Sequence, residues 1–100
     1  MTIDFQFVKI PVSEALKEYT IEKLQKLAKK YSWVIHTEVF FKIENNVTGE
    51  KICEMELSLP GPKIFAISKE RNFEMAVKET MSDLQKQLKK RKELTFRANH

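Results

Sequence analysis

One hundred residues, 42% of them apolar with only two Gly and three Pro, describe a single folded domain and exclude a disordered or collagen-like chain. Cys53 is the only cysteine, which rules out an intramolecular disulfide and a Cys-rich zinc site and points to a reducing compartment. The net charge of +4 is unevenly spread: residues 1–85 carry 12 basic and 13 acidic side chains, whereas residues 86–100 carry six basic and one acidic.

From the N-terminus, Ile3, Phe5 and Phe7 alternate with Thr2, Asp4 and Gln6, a period of two that predicts a half-buried strand within residues 1–9, ended by Pro11. Ser13 is placed to cap a helix opening at Glu14, with an apolar stripe through Leu16, Leu24, Leu27, Ala28 and Tyr31. At 100° per residue, Lys23, Lys26 and Lys30 fall with Tyr19 on one flank of that stripe. From Trp33 to Glu44 a long strand is expected, with Trp33, Ile35, Val39, Phe41 and Ile43 inward and His36, Glu38, Lys42 and Glu44 outward.

Turn chemistry at Asn45–Glu50 then leads into the alternation of Cys53, Met55, Leu57 and Leu59 with Glu54, Glu56 and Ser58, the pattern of a β-hairpin. Pro60-Gly61-Pro62 forces a second turn before a short strand, Lys63–Lys69. The inward face of that strand is ambiguous, because Ile64 and Ala66 compete with Phe65 and Ile67. Asn72 is suited to cap a second helix, whose stripe of Phe73, Val77, Thr80, Met81, Leu84 and Leu88 reaches about Lys92. The predicted order is β-α-β-β-β-α: an α+β two-layer sandwich with a four-stranded mixed sheet and both helices on one face. Residues 1–94 form the expected domain and 95–100 a flexible tail.

Catalytic chemistry finds few footholds. His36 lies mid-strand on the polar face, where a solvated residue is expected rather than a base, and His100 is terminal. The two glycines are isolated, so no phosphate loop is present, and there is no GxSxG or HExxH pattern. Cys53 is in phase with Met55 and Leu57 and reads as an inert buried thiol. No enzyme activity, metal or cofactor is therefore expected. No apolar run approaches the roughly 18 residues of a membrane span, and MTIDFQF lacks the basic start of a signal peptide, so a cytoplasmic protein without membrane or small-molecule partners is expected.

Binding remains. Lys86, Lys89, Lys90, Arg91 and Lys92 crowd the end of the second helix, and Lys78 shares a flank with Lys89 and Lys92. Fifteen of the 18 basic residues are Lys, point charges on long stems that suit phosphate and backbone contact better than bidentate reading of base edges. A solvated basic helix end serving only solubility explains the same residues.

The run Ser13-Glu14-Ala15-Leu16-Lys17-Glu18-Tyr19 followed by Lys23-Leu24-Gln25-Lys26-Leu27 resembles the first helix of ribosome hibernation promoting factors, the ribosome-associated inhibitor or ribosomal subunit interface proteins. The Leu59-Pro60-Gly61 turn, small Ala66 and Ser68, the Asn72…Ala76-Val77 helix start and Leu84-Gln85-Lys86-Gln87-Leu88-Lys89-Lys90 resemble the family in order and spacing. The resemblance implies a non-enzymatic stasis factor that occupies the decoding region of the small ribosomal subunit. By the same resemblance Lys23, Lys26, Lys30, Lys78, Lys86, Lys89, Lys90 and Lys92, with neighbouring Arg91, face ribosomal RNA. Asn72-Phe73-Glu74 stands where the family has Asp-Met-Tyr, and the chain resembles short members, for which ribosome pairing needs a separate dimerisation factor. Phe65 and Ile67, with Phe40 and Val34, are expected to form an apolar strip on the open sheet face. Two alternatives stay open on sequence alone: a general double-stranded-RNA binder, and a protein-interaction domain using the Phe65/Ile67 face.

Overall fold

A computed structural model describes residues 1–44 and 49–98, with side chains described through Thr95. Its elements are β1 (Thr2–Phe7), α1 (Glu14–Lys30), β2 (His36–Ile43), β3 (Lys51–Ser58), β4 (Ile64–Glu70) and α2 (Phe73–Ala98). The four strands lie in chain order across one sheet. β1 pairs parallel to β2, with Phe5 opposite Val39, and β2–β3 and β3–β4 are antiparallel, with Met55 opposite both Val39 and Ala66. The predicted order and α+β class are thus found.

Each helix begins where a side chain satisfies its orphan N–H groups. Ser13 has extended backbone and its Oγ accepts from the Leu16 N–H at 3.2 Å, while Asn72 Oδ1 accepts from the Met75 N–H at 2.8 Å. Both helices bury one stripe against the same face of the sheet. Leu24, Leu84, Leu88, Val39, Phe41, Met55 and Leu57 are completely buried in one core. Two threonines sit inside it without an unpaired hydroxyl: Thr20 donates to Leu16 O and Thr80 to Ala76 O, each at 2.8 Å. At the β1 edge, Phe7, Phe41 and Phe73 continue the core, their ring centroids 5.2 and 5.4 Å apart in succession.

The register settles the β4 ambiguity. Ile64 and Ala66 point inward opposite Leu57 and Met55, leaving Phe65 and Ile67 exposed on the outer face. At β2 the expected strand is too long. Tyr31 and Val34 are both buried, and the Val34 N–H donates to Tyr31 O at 3.2 Å, so a turn occupies residues 31–34 and the two-residue alternation starts only at His36. Ile35 is consequently 60% exposed instead of inward, Ile43 is exposed at the far end, and Val34 belongs to the core rather than to an outer apolar strip. The expected Asn45–Glu50 turn falls largely outside the described residues. Gly61, between two prolines, has φ +91°, a conformation that an L side chain adopts only under strain. α2 continues to Ala98, beyond the expected stop near Lys92.

Cys53 is fully buried, and burial pushes its thiol up to about 12, with Thr80 opposing the shift and Glu54 adding to it. The thiolate is therefore scarce near neutral pH. Native protein is expected to react with a thiol reagent at least about 100-fold more slowly than urea-unfolded protein. Equal labelling rates would place Cys53 at the surface.

Candidate nucleic-acid interface

The crossover through α1 and the two antiparallel turns make α1 and α2 run in the same direction, side by side over the sheet. Helical spacing then aims Lys23, Lys26 and Lys30 of α1 across the seam toward α2, where Lys78, Lys89 and Lys92 recur on the facing flank. Lys23, Lys26 and Lys78 line one recess with Ser82 and Gln85. Further along the seam, Lys30, Lys89 and Lys92 surround a second, with Tyr31 and one acid, Glu93. A third, of about 490 Å³, opens where α2 overhangs the sheet and is lined by Lys30, Trp33, Pro60, Arg91 and Lys92.

Six of the nine sequence-predicted binding residues are thereby brought along one seam. Arg91 instead lies on the opposite flank of α2, half-buried, with Nη1 donating to the Pro62 carbonyl at 2.5 Å. Lys86 and Lys90 are exposed and stand apart from the three recesses. Aromatic rings steady two of the seam lysines: Lys23 Nζ lies 4.8 Å from the Tyr19 ring centroid and Lys30 Nζ 5.7 Å from that of Tyr31. Trp33 was expected only as a core residue, yet it floors the third recess as well as packing on the core. The sequence signal for this was present: beyond Leu88, the core-facing stripe of α2 continues at Arg91, Lys92 and Thr95, where apolar residues give way to cations.

The two faces of the molecule differ in how their charges are partnered. On the open sheet face lysines are matched to carboxylates: Lys42–Glu54 at 2.6 Å, Lys63–Glu56 at 2.7 Å and Lys69–Glu44 at 3.1 Å. His36 is held rather than freely solvated there. Its Nε2 is 2.9 Å from Glu38 Oε1 and 3.5 Å from Asp4 Oδ2, and Thr2 Oγ1 is hydrogen-bonded to Nδ1. The three donor atoms of Asp4, His36 and Glu38 lie within 4.8 Å of one another, a spacing that their mutual pairing explains. On the helix layer, Lys26 pairs loosely with Glu22 at 3.6 Å. Among the described residues, no carboxylate comes within ion-pairing distance of Lys23, Lys30, Lys78, Lys86, Lys89, Lys90 or Lys92. The net positive charge is therefore concentrated on one layer, where it acts as an uncompensated field on polyanions.

A two-helix layer over a four-stranded mixed sheet, with lysines lining the seam between the helices, defines a small α+β domain whose positive charge is gathered on its helix face. The chain belongs to the Sigma 54 modulation protein / S30EA ribosomal protein family, whose model matches residues 3–95. It is 26% identical over 93 residues to the ribosome hibernation promoting factor of Pseudomonas putida strain KT2440, covering 93% of this chain and 88% of that protein. Its structure superposes on a ribosomal subunit interface protein from Coxiella burnetii with a TM-score of 0.83 at 27% identity, covering 92% and 98% of the two chains. The N-terminal domain of Thermus thermophilus Protein Y shares the fold, with a TM-score of 0.74 at 16% identity over 89% of this chain and 93% of that domain.

Proposed function

We propose that this chain is a ribosome hibernation factor that works by binding alone: its helix layer seats on ribosomal RNA of the small subunit in the decoding region and excludes the RNAs that translation requires there. The observation that carries this reading is the asymmetry of charge pairing: Lys42, Lys63 and Lys69 on the sheet are neutralised by carboxylates, whereas among the described residues five of the six seam lysines have no carboxylate within pairing distance and the sixth, Lys26, is only loosely paired with Glu22. Lysine without bidentate geometry suits phosphate oxygens and backbone shape, which is what a folded RNA surface offers. The names of the Pseudomonas putida and Coxiella burnetii relatives support the ribosomal target, and such a target puts the protein in the cytoplasm.

Co-sedimentation with purified small subunits across a salt series tests the proposal. If about six lysines each neutralise one phosphate, log K should fall against log salt with a slope of about −4 to −6. Binding that ignores salt would transfer the function to a protein partner at Phe65 and Ile67. Equal affinity for an arbitrary RNA duplex would replace the ribosomal reading with general duplex binding.

A further inference from the structure

The recess beneath the overhanging end of α2 differs from the other two in chemistry. Among the described residues, it sets a partly exposed indole among three cations, Lys30, Arg91 and Lys92, with no carboxylate in its lining, whereas the recess at Tyr31 includes Glu93 and a tyrosine ring that is itself buried, and the recess at Lys78 has no aromatic lining; its volume is about 490 Å³. Its origin is a mismatch of lengths. α2 has 26 residues and spans about 39 Å, whereas the strands have six to eight, so the helix outruns the sheet and the space below its last turns is not filled by a strand. Trp33 forms one wall of that space, braced edge-on by Tyr31 with ring centroids 5.9 Å apart. Arg91 is fixed from the other side by its bond to the Pro62 carbonyl, and Thr95 Oγ1 donates to Arg91 O at 2.9 Å.

Resting on the RNA-binding reading above, we infer that this recess takes one unpaired nucleotide of an RNA, with its base against the Trp33 indole and its flanking phosphates against Lys30, Lys92 and Arg91. Stacking on an aromatic side chain needs a base free of its helix, and cations on both sides of the opening match a backbone that enters and leaves. A continuous duplex presents no free base face and is too wide to enter. The lysine seam and the recess thus divide the work: the seam follows backbone, while the recess selects a place where one base is unpaired.

Trp33 is the only tryptophan, so its fluorescence reports the recess directly. The test titrates the full chain with a single-stranded adenosine tetranucleotide, a blunt RNA duplex and free AMP, and measures small-subunit co-sedimentation in parallel. Saturable quenching by the tetranucleotide and little by the duplex is expected. Trp33→Leu, checked for folding by circular dichroism, should weaken binding of a dye-labelled tetranucleotide about 5- to 150-fold, as loss of one base–aromatic stack requires, and Trp33→Phe should recover most of it. Unchanged fluorescence with all three probes, while small subunits still co-sediment, would overturn the recess and leave the ribosomal reading standing. Tetranucleotide quenching without small-subunit binding would do the reverse. AMP binding as tightly as the tetranucleotide would assign the recess to a free nucleotide and overturn the RNA assignment.

Discussion

Replacing Lys86, Lys89, Lys90 and Lys92 together by Gln is expected to weaken association with small ribosomal subunits by about 100-fold or more at physiological salt and to flatten the salt slope by up to about four. All four side chains are exposed and none belongs to the buried core, so the fold should be unaffected by circular dichroism and thermal unfolding. The set joins two seam lysines, Lys89 and Lys92, to two outside the seam, Lys86 and Lys90. Splitting the variant therefore tells how wide the footprint is. A contact confined to the seam predicts that Lys89 and Lys92 account for most of the loss. The control is Lys42, Lys51, Lys63 and Lys69 changed to Gln, which removes the same charge from the sheet. Equal loss in both variants would mean that net charge alone governs binding, and full retention in the helix variant would refute the assigned surface.

The second large effect concerns the layer itself. Leu84→Ala should destabilise the protein by about 2–5 kcal/mol, because the side chain is completely buried between α2 and the sheet and its removal leaves a cavity that packed neighbours close only in part. Against a total stability of roughly 5–15 kcal/mol, that lowers the melting temperature by about 10–30 °C. The urea midpoint should fall with an unchanged slope, as for a loss of stability without a change in the surface exposed on unfolding. A shift within experimental error would place the α2 stripe in solvent. Trp33→Leu should cost far less, since Trp33 only partly joins the core, and this contrast separates the role of α2 in packing from the role of the recess in binding.

Much of this architecture was legible in the amino-acid order because period and punctuation agreed. Ser13 and Asn72 marked both helix starts, and the alternation through Cys53, Met55 and Leu57 marked the inward face of β3. Periodicity failed where it had no contrast to work with. At Trp33-Val34-Ile35 three apolar residues follow one another, and only the turn after Tyr31 decides that Val34 is buried and Ile35 exposed. In β4 both faces carry apolar residues, and the choice is made by pairing with β3, a long-range contact that local pattern does not encode. The candidate lysines were visible as helical flanks, yet a flank does not reveal which cations are neutralised across a sheet. Lys42, Lys63 and Lys69 are the same residue type as the seam lysines and differ in having carboxylates at 2.6–3.1 Å, whereas of the seam lysines only Lys26 has one within pairing distance among the described residues, at 3.6 Å.

The chain-order sheet also bears on how the molecule assembles. From His36 onward every strand neighbours the next in sequence, and α2 follows directly from β4, so β2, β3, β4 and α2 form a unit made of short-range connections. β1 alone reaches its place through the long α1 crossover and is bordered on one side only. Contacts that close large loops cost chain entropy before they return any stabilisation. Seating β1 and α1 is therefore expected to come late in folding and to reverse first. Since α1 carries half of the lysine seam, the proposed RNA-facing surface would be complete only once α1 has docked.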